Sequence, residues 1–261
     1  MPGPDRIAAA FAGHGKAAAL MPYLMGGFPS LEASRAIGEA CLDNGADLLE
    51  LGVPYSDPLA DGPVIQAAGA QALRAGATLA GVLDVGEALA RRAPVVLMTY
   101  ANLVLARGAE RLAGDLAQRG LAGLIVPDLP LEEADEVLSA CDAAGVALIP
   151  LVAPTTPDER LTAIGARARG FLYTVSLTGT TGERTALAER FAEIVARAAA
   201  HTSVPVALGF GISTPEQAAQ AAAAGADGVI VGSRLVRAAA EASEPAAAVG
   251  ELVADFAAAL R

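Results

Sequence analysis

One phrase recurs along this 261-residue chain: a helix-like segment, a glycine, and a short apolar run that ends at proline, glycine or aspartate. Clear copies are DNGADLLELGVPY, RGLAGLIVPDLP, AAGVALIPLVAP and AAGADGVIVGS. Continuous apolar runs of this kind are typical of strands that are buried on both faces of a parallel sheet, and glycine commonly ends a helix. The repeat therefore predicts alternating helices and parallel strands.

Eight apolar runs fit a strand, and amphipathic segments separate them: ALMPYLMGG, DLLELGV, PVVLMTY, LAGLIVP, VALIPLV, GFLYTVS, PVALGF and DGVIVG. No Gly/Ser linker or change of composition divides the chain. The pattern predicts an α/β fold, a single (β/α)8 barrel of the TIM type over residues 1–261. Extra helices are expected at the N-terminus (DRIAAAFAGHG), after strand two (PVIQAAGAQALRAG) and near the C-terminus (AAAVGELVADFAAAL). An open doubly wound sheet is the alternative, but no G-x-G-x-x-G opens the first helix.

Charge and composition exclude several kinds of function. A net charge of -11 disfavours binding to nucleic acid or to an anionic membrane surface. No stretch approaches the roughly 20 apolar residues of a membrane span, and no targeting signal is evident, so we expect a cytoplasmic protein. Cys41 and Cys141 lack a CxxC spacing or a nearby histidine, which predicts two buried free thiols and no metal site.

The stretch DLLELGVPYSDPLADGP carries a carboxylate inside an apolar strand. The spacing of Glu50 from Leu48 directs Glu50 into the barrel, where loss of water raises a carboxyl pKa and suits it to proton transfer near neutrality. The alternative is a structural glutamate paired with an arginine. The nearest basic residues, Arg35 and Arg74, fall in helical segments, which favours the functional interpretation.

Two further carboxylates, Asp57 and Asp61, share the loop that follows this strand. Three prolines restrict the loop, which lowers the entropy lost when a side chain is held in place. Either aspartate could instead cap a turn or the next helix. The local chemistry does not choose between them.

Glycines gather at the ends of the last two strands, in GFGIS and GSRLV. Barrels with phosphorylated substrates often bind phosphate through these loops and the start of a short helix. Backbone amides around Phe210, Gly211, Gly232 and Ser233 are therefore candidate phosphate donors, the alternative being tight turns alone. The longer loop after strand six, LTGTTGERTAL, is typical of a mobile lid.

The stretch LELGVPYSDPLADGPVIQ resembles the signature of the tryptophan synthase alpha subunit. Similar stretches stand in the family's order over nearly the whole chain: PYLMGGFP, MTYAN, VPDLP, GFLYTVSLTGTTG, GFGIS and VIVGSRLV. The resemblance implies retro-aldol cleavage of indole-3-glycerol phosphate to indole and glyceraldehyde 3-phosphate, with Glu50 and Asp61 as the catalytic carboxylates. By the same resemblance Asp61 holds the indole N–H, while Glu50 protonates ring carbon C3 and takes a proton from the glycerol hydroxyl.

The resemblance also assigns the substrate pocket. The indole ring would be lined by five side chains, although aromatic residues at a barrel mouth can also be plain packing: Tyr23, Ile65, Tyr100, Ile125 and Tyr173. Thr181 in the lid would approach Asp61, and the Gly182 backbone would approach the phosphate.

A partner is implied in the same way. The chain itself would carry no cofactor, whereas a pyridoxal-phosphate-dependent beta subunit would bind it in an alpha2beta2 assembly, through loops that contain Pro54, Asp57 and Pro130. Alternatives are a free-standing indole-producing lyase and a catalytically silent barrel that regulates a partner. A related indole-glycerol-phosphate synthase or phosphoribosylanthranilate isomerase is a weaker alternative, because the first needs a lysine at a strand end and the only lysine, Lys16, precedes strand one.

Overall fold

The computed structural model describes residues 1–175, 184–209 and 211–261. Within these residues, nine parallel strands form one sheet in the order β5–β4–β3–β2–β1–β9–β8–β7–β6. Their bounds are β1 Ala19–Met25, β2 Leu49–Gly52, β3 Val95–Met98, β4 Gly123–Ile125, β5 Ala147–Ile149, β6 Leu151–Val152, β7 Leu172–Val175, β8 Val206–Gly209 and β9 Gly228–Val231.

The fifth predicted strand, VALIPLV, is interrupted at Pro150, which separates β5 from β6. Proline has no N–H to donate to a neighbouring strand. Because β5 pairs with β4 and β6 pairs with β7, the two halves join the ends of the sheet. The predicted barrel of eight strands is therefore confirmed, with one strand broken in the middle.

Twelve α-helices and one 3-10 turn (Leu131–Glu133) accompany the strands in the described residues. The helices are α1 Gly3–Gly13, α2 Leu31–Asp43, α3 Pro63–Arg74, α4 Leu79–Ala90, α5 Ala101–Arg107, α6 Ala109–Gln118, α7 Asp135–Ala144, α8 Asp158–Arg167, α9 Arg184–Ala199, α10 Pro215–Ala223, α11 Ser233–Glu241 and α12 Pro245–Ala259. The extra helices expected at the N-terminus, after the second strand and near the C-terminus are confirmed as α1, α3 and α12.

Polar caps start several of these helices where the sequence places them. The side chains of Ser30 and Thr78 accept hydrogen bonds from backbone amides in the first turns of α2 and α4. Thr214 and Gln217 form a reciprocal capping box at α10. Such caps satisfy amides that a helix cannot pair internally, so each loop passes into its helix at a defined residue.

Strand register decides which side chains enter the barrel. Tyr23 on β1 pairs with Glu50 on β2, and Glu50 pairs with Val96 on β3. Residues in register on neighbouring parallel strands point to the same side of a sheet, so these three side chains share the barrel interior. Leu51 and Leu97, one position further along, lie on the outer side and are buried beneath the helices.

The opposite, N-terminal end of the barrel is closed by polar contacts and by α1. The ammonium group of Lys16 donates to Asp47 Oδ1 at 2.8 Å and to the Gly45 carbonyl at 3.1 Å. The other Asp47 oxygen accepts the Leu20 amide at 2.7 Å, and both charged side chains are at most 12% exposed. Lys16 is therefore held in a nearly buried ion pair at the end of the barrel away from the mouth.

Candidate active site

Glu50 lies inside the barrel on β2 and is only 1% exposed. Loss of water raises the pKa of its carboxyl group to about 8, and the negative charge of Asp61 adds to the rise. One of its oxygens, Oε2, has no hydrogen-bond partner among the described residues. The prediction that Glu50 enters the barrel is confirmed, and its carboxyl group holds a proton at neutral pH.

Asp61 ends the loop after β2 and is fixed by contacts of its backbone and its carboxylate. Its amide donates to the Pro58 carbonyl at 3.0 Å, and its own carbonyl accepts from the Gln66 side chain at 2.9 Å. The hydroxyl of Tyr100 donates to Asp61 Oδ2 at 3.0 Å. Partial burial raises the pKa of Asp61, while the Tyr100 hydrogen bond opposes that rise. The carboxylate is therefore held in one orientation next to the barrel mouth.

Geometry separates Asp61 from Asp57, two aspartates that local sequence chemistry left undecided. Asp57 is exposed, and its carboxylate accepts a 2.6 Å hydrogen bond from Ser56 within the loop. Asp61 instead acts electrostatically on Glu50 and on the buried hydroxyl of Tyr23. Only the second of the two aspartates is thus part of the charged group in the barrel.

Three tyrosines surround these carboxylates: Tyr23, Tyr100 and Tyr173, each no more than 6% exposed. Burial raises the pKa of Tyr23 and Tyr173 well above the ordinary value, and nearby carboxylates raise it further. All three hydroxyls therefore stay protonated at neutral pH. The predicted pocket tyrosines lie together around the two acids.

Two strand-end glycines, which the sequence analysis did not single out, make room for the tyrosine rings. A Cβ atom on Gly52 would lie 2.2 Å from the Tyr23 hydroxyl oxygen, and one on Gly209 would lie 2.5 Å from that of Tyr173. Any larger residue would clash with the ring. Glycine inside an otherwise apolar strand is the sequence signal for such a close approach.

The two isoleucines predicted for the pocket are both buried. Ile65 is buried in the first turn of α3, and Ile125 is completely buried at the end of β4. Ile125 is in register with Met98, which is in register with Gly52. This layer of residues lies one step nearer the strand ends than the layer that contains Glu50.

The candidate phosphate residues stand at the starts of loops or helices. Gly211 has φ +82°, a backbone conformation that L side chains rarely adopt. Gly232 immediately precedes α11, and exposed Ser233 is its first residue. The first amides of a helix lack internal partners and carry partial positive charge, which suits an anion. Three predicted residues, Thr181, Gly182 and Phe210, lie outside the described residues.

The proposed partner loops differ in exposure. Asp57 and Pro130 are exposed, whereas Pro54 is buried beneath its own loop. The same loop presents Leu59, which is 92% exposed. An exposed leucine at a loop tip is a better candidate for direct contact than a buried proline, whose role is to stiffen the backbone.

The ring of Tyr100 also makes a contact that the sequence did not predict. The ring of Tyr55 stacks on that of Tyr100 with centroids 5.0 Å apart, and the Asn102 side chain donates to the Tyr55 hydroxyl at 2.9 Å. The tyrosine stack joins the loop after β2 to the segment after β3. It shows no signal in either segment alone, because the partners are far apart in sequence.

Other chemistries lack parts in the described portion of the chain. No group of three or more histidine, cysteine, aspartate or glutamate residues there is placed to hold a metal ion. Cys41 and Cys141 are buried free thiols, as predicted, and burial raises the pKa of each to about 12. No helix in the described ranges has the length and apolarity needed to cross a bilayer.

Comparison with known proteins agrees with this geometry. A family model described as "Tryptophan synthase alpha chain" matches residues 10–259. The chain is 52% identical over 241 residues to the tryptophan synthase alpha chain of Gloeobacter violaceus, covering 90% of this chain and 86% of that one. It is 51% identical over 221 residues to the alpha chain of Prochlorococcus marinus, covering 84% and 80%.

Solved structures give the same result. A tryptophan synthase from Mycobacterium tuberculosis is similar with a TM-score of 0.90 and 40% identity, covering 98% of both chains. A chain of the tryptophan synthase a2b2 complex of Pyrococcus furiosus is similar with a TM-score of 0.86 and 35% identity, covering 92% of this chain and 98% of that one. This chain belongs to the tryptophan synthase alpha chain family.

Proposed function

We propose that Glu50 and Asp61 are the two carboxylates with which this chain performs the reaction of its family. A tryptophan synthase alpha chain cleaves indole-3-glycerol phosphate to indole and glyceraldehyde 3-phosphate. The observation that supports the assignment best is the pair itself: a buried Glu50 whose pKa is about 8, beside an Asp61 fixed by Tyr100. One group then holds a proton at neutral pH while its neighbour supplies negative charge.

This division matches what the cleavage requires. Indole is a poor leaving group until C3 of the ring is protonated, and the protonated ring carries a positive charge. Glu50, protonated at the start, donates to C3, while anionic Asp61 accepts the indole N–H and stabilises the developing charge. The Glu50 carboxylate then removes the proton of the glycerol hydroxyl. The C–C bond breaks, its electrons return to the indole ring, and Glu50 ends protonated as it began.

We propose that the substrate binds between the described groups. Tyr23, Tyr173, Ile65 and Ile125, all buried, would form an apolar wall for the indole ring, and the hydrogen bond from Tyr100 would hold Asp61 toward the ring N–H. Backbone amides near Gly211, Gly232 and Ser233 would bind the phosphate at the end of the barrel where α11 begins. Thr181, Gly182 and Phe210 complete the proposal from the sequence resemblance.

The reaction needs no cofactor on this chain, since the proton transfers use side chains alone. Members of the family work with a beta subunit that carries pyridoxal phosphate and uses the indole, in an alpha2beta2 assembly. The loops that carry Asp57, Leu59 and Pro130 are our candidates for this contact, with Pro54 stiffening the first of them. We also propose that residues 1–261 act as one domain in the cytoplasm, where a small phosphorylated biosynthetic intermediate would be met.

Indole release by purified variants tests the assignment. Glu50→Gln and Asp61→Asn should each lower kcat by about 10²–10⁴-fold, the usual loss when a positioned acid or base is removed. Asp57→Asn is the matched comparison, because it neutralises an exposed carboxylate in the same loop, and it should lose much less.

Two outcomes would contradict this assignment in different ways. Near wild-type activity in Glu50→Gln or Asp61→Asn would remove that residue from the mechanism. A wild-type chain that releases no indole, alone or with a beta subunit, would instead support the catalytically silent alternative.

A further inference from the structure

The hydroxyl of Tyr100 is used twice. It donates to Asp61 Oδ2 at 3.0 Å and accepts the backbone amide of Ala60 at 3.1 Å. One hydroxyl therefore fixes both the carboxylate and the backbone of the residue before it. Rotation of the Tyr100 side chain would break both the hydrogen bond to Asp61 and the hydrogen bond from Ala60.

Tyr55 and Asn102 restrict that rotation. The Tyr55 ring covers the Tyr100 ring at a 5.0 Å centroid distance and an interplanar angle of 26°, and the hydroxyl of Tyr55 is held by Asn102 at 2.9 Å. Stacking of this kind limits the torsion of the inner ring. The hydrogen bond from Asn102 fixes the Tyr55 ring, the Tyr55 ring covers the Tyr100 ring, and the Tyr100 hydroxyl holds Asp61.

We infer that Tyr55 and Asn102 are positioning residues for Asp61, acting through Tyr100; the inference rests on the proposed function. Neither side chain reaches the carboxylates directly. Tyr55 is half-buried in the loop after β2, and Asn102 is exposed on α5 after β3. Their contact also ties together two loops on the face of the barrel that carries the active site.

The charged surroundings of Asp61 make the effect measurable by pH. The titratable groups acting on or affected by Asp61 within the described residues come from four strands or the loops after them: Tyr23, Glu50, Tyr100 and Tyr173. The Tyr100 hydrogen bond lowers the pKa of Asp61. When this bond weakens, the pKa of Asp61 rises, so a higher pH is needed to ionise Asp61. The acid limb of the kcat/KM profile should then move to higher pH.

A double-mutant cycle tests the inference. Tyr55→Phe keeps the ring stack and removes only the hydroxyl, and Asn102→Ala removes its donor. Each should lower kcat by about two- to tenfold, the usual worth of one hydrogen bond, with KM unchanged. The double variant should lose no more than either single one, because both remove the same bond. Tyr100→Phe should lose about ten- to a hundredfold and show the largest shift of the acid limb.

Ser56→Ala is the matched control, because it removes a hydrogen bond within the same loop that leads to Asp57 and not to Asp61. Folding is checked by thermal unfolding and by tyrosine fluorescence, which reports on this site because the chain has no tryptophan and its four tyrosines all surround the mouth. The changes at half-buried Tyr55 and exposed Asn102 keep the test valid if Tyr100→Phe fails to fold.

Three outcomes would overturn the inference: kcat of Tyr55→Phe and Asn102→Ala equal to that of Ser56→Ala, losses that multiply in the double variant, or an acid limb that does not move. An inactive Asp61→Asn variant beside fully active Tyr55 and Asn102 variants would reject the positioning role alone. A fully active Asp61→Asn variant would reject the proposed function itself.

Discussion

Replacing Glu50 by glutamine should make the folded protein less sensitive to rising pH. The carboxyl group of Glu50 is buried without a basic partner, and its pKa in the folded state is about 8 against an ordinary value of 4.5. Between these values the folded chain keeps a proton that the unfolded chain has released. The free energy of unfolding must therefore decrease as pH rises through this window.

The size of the effect follows from the width of the window. Each pH unit is worth about 1.4 kcal/mol for one proton, so the interval from 4.5 to about 8 corresponds to about 5 kcal/mol at 25 °C. This stabilisation is fully present below pH 4.5 and is lost as pH rises to about 8. Glutamine has nearly the same shape and cannot titrate, so Glu50→Gln should lack this part of the pH dependence.

Urea unfolding at pH 6 and pH 9 provides the assay, and because about two pH units of the window lie between these values, about 3 kcal/mol of the effect should appear. The quantity compared is the change in the free energy of unfolding between the two pH values, so any constant cost of the buried amide cancels. Glu39→Gln is the control, because Glu39 is an exposed glutamate of α2 paired with Arg35. Equal pH slopes for the wild type and Glu50→Gln would refute the argument that a buried, protonated Glu50 lies at the centre of the site.

Two other perturbations concern opposite ends of the barrel. Lys16→Met leaves the buried carboxylate of Asp47 without its partner and should lower the free energy of unfolding by about 3–5 kcal/mol while kcat is retained. Arg35→Met, in an exposed ion pair, should cost at most about 1 kcal/mol. Thermal unfolding measures the stability and indole release measures kcat. Gly211→Ala forces an L side chain to adopt φ +82° beside the candidate phosphate site, so KM for the substrate should rise more than kcat falls. If the wild type used phosphorylated and dephosphorylated substrate equally well, this phosphate site would be contradicted.

Most of the fold was predictable because its signal is periodic and local. Continuous apolar runs, several of them preceded by a glycine, identified the strands, and the position of Glu50 in such a run was enough to place it inside the barrel. The break at Pro150 was not predicted. It depends on which neighbour each half of the strand pairs with, and that is decided by barrel closure.

The details of the site were less predictable because they join distant segments. Local chemistry did not separate Asp61 from Asp57, and the family resemblance alone chose Asp61; the physical difference is the hydrogen bond that Asp61 accepts from Tyr100, 39 positions away. The contact exists because β2 and β3 are neighbours, so the loops that follow them meet. The Tyr55–Asn102 hydrogen bond has the same origin and the same lack of local signal.

Docking of the beta subunit should depend on Leu59 more than on the prolines around it. Leu59 is 92% exposed on the loop that ends at Asp61, and burying such a side chain contributes about 1.5–3 kcal/mol. Leu59→Ala should therefore weaken binding of the cognate beta subunit by about 10- to 100-fold and reduce the acceleration of indole formation to the same degree at limiting partner.

Leu73→Ala is the matched control for this docking prediction. Leu73 is also exposed, but it lies at the far end of α3, whose 12 residues run about 18 Å back from the mouth. Binding measured by sedimentation and cleavage measured with and without the partner distinguish the cases. If the two leucine variants bind the beta subunit equally well, the partner does not use this loop. The beta subunit would then have to bind, and to accelerate cleavage, through another face of the barrel.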